Sequence, residues 1–132
     1  MYFVRVRDRI MIAHSFRGEI FGPAQRLHGA SLIVEVELRG GRLTEEGFLV
    51  DITRLRELLS EILSEIDYHN LDELPVFAGR NTTVEVVAAH IHGRLREEIR
   101  AGRLGPGSHN LEEILVDIRE HDLARAGYLG PA

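Results

Sequence analysis

The chain has 132 residues, 44% of them hydrophobic and 28% charged, with a formal net charge of −5 at pH 7 and no cysteine. This length suits one compact domain over residues 1–132, and the missing cysteines exclude disulfides, thiolate metal ligands and a cysteine nucleophile. The arginines are scattered rather than massed, which leaves no footprint for nucleic acid, and no apolar run reaches the roughly 18 residues of a membrane span.

The N-terminal segment alternates. Val4, Val6, Ile10, Ile12 and His14 share one parity, with Arg5, Arg7 and Arg9 on the other, which reads as a half-buried strand and not as a signal peptide. Together with the absent cysteines this leads us to expect a cytoplasmic protein. Residues 17–27 carry two glycines and a proline and read as a loop. A second strand follows, with His28, Ala30, Leu32, Val34, Val36 and Leu38 on one face, Glu35 and Glu37 on the other, and Gly40-Gly41 at its end. Asp51 is placed to cap a helix whose apolar face is Leu55, Leu58, Leu59, Ile62, Leu63 and Ile66. Residues 67–81 read as a loop. Thr82 and Glu85 have capping-box spacing ahead of a second helix lined by Val84, Val87, Ala88, Ile91 and Leu95. After a Gly/Pro-rich turn over 101–110, Ile114, Val116, Ile118 and Glu120 share one face of a further strand, and residues 122–129 add a last short one. The order β-β-α-α-β-β predicts an α+β domain, both helices on one face of an antiparallel sheet. Such a sheet has two open edges, which pairing between subunits would close.

Four groups of residues have chemical potential. His28 and residue 30 point to the same side of a strand, and His14 stands on the neighbouring strand, so a third histidine at position 30 would complete a three-imidazole metal site. Ala30 stands there instead, and two histidines hydrogen-bonded at a pocket wall is the simpler reading. Asp67-Tyr68-His69 places a carboxylate beside an imidazole that it can orient for proton transfer, although a polar loop at a helix end has the same composition. Glu120 ends an apolar strand face and would be satisfied by adjacent N–H donors, such as the aminopyrimidinone edge of a fused ring, or simply by water or an arginine. Thr82, Thr83 and Glu85 open the second helix, either as caps alone or also as donors to a pocket. His90 and His92 point in different directions on one helix, and His109 lies in a turn, so neither set suggests a shared metal.

Taken in order, these pieces resemble the 6-pyruvoyltetrahydropterin synthases and the related 6-carboxytetrahydropterin synthases. Ala13-His14 matches the family's Ala-His strand end. Ala24-Gln25-Arg26-Leu27-His28-Gly29-Ala30 lies on its Cys-x-x-x-His-Gly-His pattern, and Gly47–Asp51 on its Gly-x-x-x-Asp segment. Ile66-Asp67-Tyr68-His69-Asn70-Leu71-Asp72 lies on its Leu-Asp-His loop, Thr83-Val84-Glu85 on its Thr-x-Glu helix start, and Glu120-His121 with Tyr128 on its closing strand. The resemblance implies the T-fold: a four-stranded antiparallel sheet with two helices on one face, joined edge to edge into trimeric barrels that stack as a homo-hexamer with pterin sites between subunits. It also implies three zinc histidines, a catalytic cysteine and an Asp-His pair. Ala30 replaces one histidine, Ala24 replaces the cysteine, and Tyr68 occupies the histidine position with His69 one residue late. The expectation is therefore a protein that binds a pterin-like ligand through Glu120, Thr83, Glu85 and Thr82. Asp67, Tyr68 and His69 are its candidate catalytic groups, no cofactor is expected, and zinc-dependent synthase chemistry is lost. A metal-free pterin-converting activity, of aldolase, epimerase or lyase type, and a noncatalytic pterin carrier or sensor are the alternatives.

Overall fold

Period-two alternation sets the sheet. In the structure, a computed structural model that describes residues 1–132, β1 (Tyr2–His14) and β2 (His28–Gly40) pair antiparallel along their full length, from Tyr2 opposite Gly40 to His14 opposite His28. β2 continues against β4 (Leu111–His121), and β4 against β5 (Ala124–Pro131), both antiparallel. A fifth strand, β3 (His69–Asn70), lies parallel to β1 at Ile12 and Ala13, so the order across the sheet is β3-β1-β2-β4-β5. The four long strands follow the expected antiparallel pattern. The two residues of β3 are too few to show any periodicity, which is why the segment reads as loop.

Two helices cover one face. α1 (Ile52–Ser64) starts where the Asp51 carboxylate accepts from the Thr53 and Arg54 amides at 2.9 and 3.2 Å. It stops two residues short of Ile66, which is buried in the following turn. α2 (Val84–Arg100) is capped by Thr83, whose hydroxyl accepts from the Val86 amide at 3.4 Å. This corrects the Thr82/Glu85 capping box: Thr82 is buried and its polar atoms are turned towards His14, so the neighbouring threonine does the capping. Under the helices lies a single core of 25 buried residues, in which Val34, Val36, Leu38, Ile114, Val116 and Ile118 are fully enclosed. Gly107 (φ +91°) lets the turn before β4 pass over the α1 approach, because a Cβ there would collide with the Leu49 carbonyl.

The other face of the sheet carries charge in place of a second layer. Glu37 is only 5% exposed there, held between Arg5 and Arg39, with Arg39 Nε donating at 2.6 Å. Burial pushes its carboxyl pKa up, but the Arg39 and Arg5 guanidiniums outweigh that and hold it below the usual carboxylate range. Arg7 pairs with Glu35 at 2.9 Å, Arg39 with Glu113 at 3.1 Å, and Arg125 with Asp117 at 3.4 Å. No helix is long and apolar enough to cross a membrane.

Candidate functional site

The register of β1 and β2 decides the first feature. Because His14 faces His28, the two imidazoles meet edge-on with ring centroids 4.6 Å apart, and Phe16 packs 4.6 Å from the His14 ring. His14 Nδ1 lies 3.0 Å from the Thr82 carbonyl oxygen and 3.1 Å from its hydroxyl, and His28 Nδ1 lies 2.8 Å from the Arg26 carbonyl. A carbonyl only accepts, so both Nδ1 atoms carry a proton, and in the neutral form of the His14 ring the lone pair is on Nε2. His14 Nε2 is buried with no partner. Burial first, and the charge of His28 second, push the His14 pKa below its usual value, so the ring is neutral at pH 7.

Imidazoles oriented through Nδ1 on a carbonyl are held as metal ligands are held. The third position is the methyl of Ala30, half-buried against the core, and no three His, Asp or Glu side chains converge here or elsewhere. The donor set is one short of the three protein ligands of a catalytic zinc, so it does not fit that ion.

The Asp67-Tyr68-His69 segment is arranged differently from the sequence expectation. The Asp67 carboxylate accepts from the Met11 amide at 2.9 Å, and the Tyr68 amide donates to the Met11 carbonyl at 2.7 Å, so the tripeptide is clipped to the edge of β1. His69 Nδ1 donates to the backbone carbonyl of Asp67 at 2.8 Å, not to its carboxylate. The imidazole is oriented by the main chain, because the side chain is committed to β1. Tyr68 is the one non-glycine residue with positive φ, at 56°, and it is 80% exposed.

Glu120 is exposed, as a carboxylate at a strand end that reaches water would be. β4 carries a register shift between Arg119 and His121, which leaves Glu120 without a paired partner at the end of the strand. Glu120 makes no hydrogen bond or ion pair. It lies at the junction of two depressions: one of 340 Å³ shared with Arg9, Met11, Ser31, Asp67 and Tyr68, and one of 190 Å³ shared with Val84, Glu85, His121 and Arg125. The structure thus brings Glu120 together with Glu85 at the start of α2 on one side, and with Asp67 and Tyr68 on the other. Its charge also acts on His14. His69 lines neither depression. Thr82 supports His14, and Thr83 caps α2.

Sequence reasoning missed the residues that hold this region together. Asp72 accepts from the Ser15 amide at 3.0 Å and from its hydroxyl at 2.6 Å, and the Asn81 amide group brackets the backbone of Arg17 at 2.8 and 3.0 Å. These contacts fix the chain as it leaves His14. They span more than 50 residues of sequence, so only the acid at the end of the 67–72 loop hinted at them.

A family model described as 6-pyruvoyl tetrahydropterin synthase matches residues 3–130. The chain is 27% identical over 119 residues to a 6-pyruvoyl tetrahydrobiopterin synthase of Drosophila melanogaster, covering 86% of this chain and 65% of that protein. It is 30% identical over 79 residues to the Dictyostelium discoideum protein of the same name, covering 58% of each. The matches therefore span less than two thirds of these curated relatives. Among solved structures, the 6-pyruvoyl tetrahydropterin synthases of Plasmodium falciparum (TM-score 0.80, 17% identity, 99% of this chain and 98% of that one) and Caenorhabditis elegans (TM-score 0.77, 20% identity, 99% and 95%) have the same fold.

Proposed function

The chain belongs to the 6-pyruvoyl tetrahydropterin synthase family, and on that premise we propose that it binds a pterin-like ring between subunits, anchored by Glu120, without zinc-dependent synthase chemistry. The observation that carries this reading is the Glu120 carboxylate itself. Neither a hydrogen bond nor an ion pair satisfies it, and it stands where two depressions meet, beside the start of α2. A carboxylate accepts two parallel N–H bonds, which is the donor pattern of an aminopyrimidinone edge. Thr83, Glu85 and Thr82 at the helix start are the further ring-binding candidates. The ring would then lie against the depressions, with a second subunit closing them.

The synthase chemistry is discounted because of what the positions now hold: a methyl at Ala30 where a third ligand would stand, and another at Ala24 where a thiol would. Calorimetric titration with neopterin and biopterin tests the anchor. Binding by the wild type, and at least tenfold weaker binding by Glu120→Ala, is the expected result, a loss of about 1.4 kcal/mol or more. Equal affinity in the two proteins would sink the assignment. Zinc well below one per chain in the same batch is expected.

The strained, solvent-facing Tyr68 beside the same depression favours a second reading, a metal-free conversion of the bound ring's side chain. In it Tyr68 and His69 move protons, and Asp67 keeps the segment in place. Turnover of a reduced pterin that falls sharply in Tyr68→Phe and His69→Gln separates this from a noncatalytic carrier or sensor, which would bind without turnover. The assembly we propose is the homo-hexamer, and the compartment the cytoplasm.

A further inference from the structure

The register shift at the end of β4 does more than unpair Glu120. Arg119 stands opposite Arg125 and His121 opposite Ala124, so Glu120 is the extra residue between them. In an undisturbed strand Glu120 and His121 would point to opposite faces of the sheet. A bulge breaks that alternation and re-aims side chains. Here both residues line the 190 Å³ depression at the start of α2, with Glu85 beside them and Val84, Ile118 and Ala126 as apolar lining.

The hairpin that follows also fixes the proton on the His121 ring. The Leu123 amide donates to His121 Nδ1 at 3.2 Å. Nδ1 therefore holds the lone pair of the neutral imidazole, and the proton is on Nε2. This is the reverse of His14 and His69, whose Nδ1 atoms lie on main-chain carbonyls. With Nδ1 committed, neutral His121 can only donate, and it makes no other hydrogen bond and no ion pair. The remaining polar side chains of the depression do not offer this. Glu85 and Glu120 are acceptors, and the Arg125 guanidinium is drawn to Asp117 at 3.4 Å. An aminopyrimidinone edge presents two N–H donors and, next to them, a carbonyl acceptor. Glu120 matches the two donors, and the residue after it supplies the N–H that the acceptor needs.

We infer that His121 is a specificity-determining residue of the Glu120 depression, donating through Nε2–H to the ring carbonyl that adjoins the two N–H groups on Glu120. The inference rests on the reading that an aminopyrimidinone edge sits at Glu120, and it adds how that edge is told from one with a different group beside the N–H pair. A site that offers a donor to one ligand atom rejects an analogue that leaves the donor unpaired. A hydroxyl could turn to donate or accept, whereas a ring held through Nδ1 cannot.

Calorimetric titration with 6-methylpterin and its 4-thioxo analogue tests this. The two compounds share the ring N–H donors and differ in the atom beside them, and sulfur is the weaker acceptor. Wild type is expected to favour the oxo compound about fivefold or more. His121→Phe should bind the two within about twofold of each other, and His121→Gln, which keeps a side-chain N–H, should restore the preference. His121 is exposed and outside the core, so these variants are expected to fold. An equal loss of both compounds in His121→Phe, with the preference intact, would show a residue that only supports the hairpin and would overturn the assignment. The same preference and affinities in wild type and His121→Phe, with both compounds weakened by Glu120→Ala, would overturn it and leave the anchor standing. Binding of neither compound by the wild type would overturn both.

Discussion

Tyr68 shows how much of the candidate site depends on single backbone geometries. An L-residue in the left-handed region carries roughly 1–2 kcal/mol of strain, and here the two Met11 bonds impose it. Tyr68→Gly should therefore leave chemical-denaturation stability unchanged or raise it by up to about 1 kcal/mol, since relief of strain is offset by glycine's extra freedom when unfolded. If the phenol takes part in turnover, that same variant loses it, which would separate strain held for function from strain held for the fold. At Thr82 the expectation is the reverse. Thr82→Val removes a buried hydroxyl from His14 Nδ1 while keeping the carbonyl, and should cost about 1 kcal/mol of stability.

Among the elements, the helix starts and the buried histidines are the sensitive points. Asp51 satisfies two first-turn amides of α1, so Asp51→Ala should lower stability by about 1 kcal/mol, read from the denaturation midpoint. The pKa values of His14, His90 and His92 are all held below the ordinary 6.5, each chiefly by burial. His92 sits under β5, its ring 4.8 Å from that of Tyr128, with an unpartnered Nε2. A depressed histidine pKa means that the unfolded chain takes up protons the folded chain refuses. Stability is then full above the unfolded pKa and falls as pH drops through and below 6.5. The melting temperature should decline from about pH 7.5 to about pH 5, and less steeply in a His92→Leu variant. The alternating strands and both amphipathic helices were legible as sequence because burial on one side imposes a period of two or of 3.6. The cap of α2 was not, since two adjacent threonines fit the same rule and only the packing of Thr82 against His14 chooses between them.

The sheet of the whole molecule has unfinished edges. β3 covers β1 only at Ile12 and Ala13, and β5 has no neighbour on its outer side. Tyr2 and Phe3 on β1 and Leu129 on β5 are more than half exposed beside these edges. Paired edges between copies would satisfy the open backbone groups and cover those side chains. Sedimentation equilibrium is expected to return six times the 14.9 kDa chain mass. A monomer at micromolar concentration would remove the premise that the Glu120 depressions are closed by a second subunit.

The sequence by itself determined the order of the four long strands and two helices, the core faces of β1, β2, β4, α1 and α2, and the candidate residues His14, His28, Asp67 and Glu120, because these follow from local periodicity and from spacing along one chain. Tertiary structure decided the rest. It turned the Asp67 carboxylate to Met11 and left His69 to a main-chain oxygen, placed Thr82 behind His14, and exposed Glu120 at a register shift in β4. It also lined up Arg9, Arg119 and Arg125 in one row. The physical reason is the same in each case. Hydrogen-bond partners and cross-strand neighbours are set by register and close approach between segments dozens of residues apart, and no local pattern encodes them.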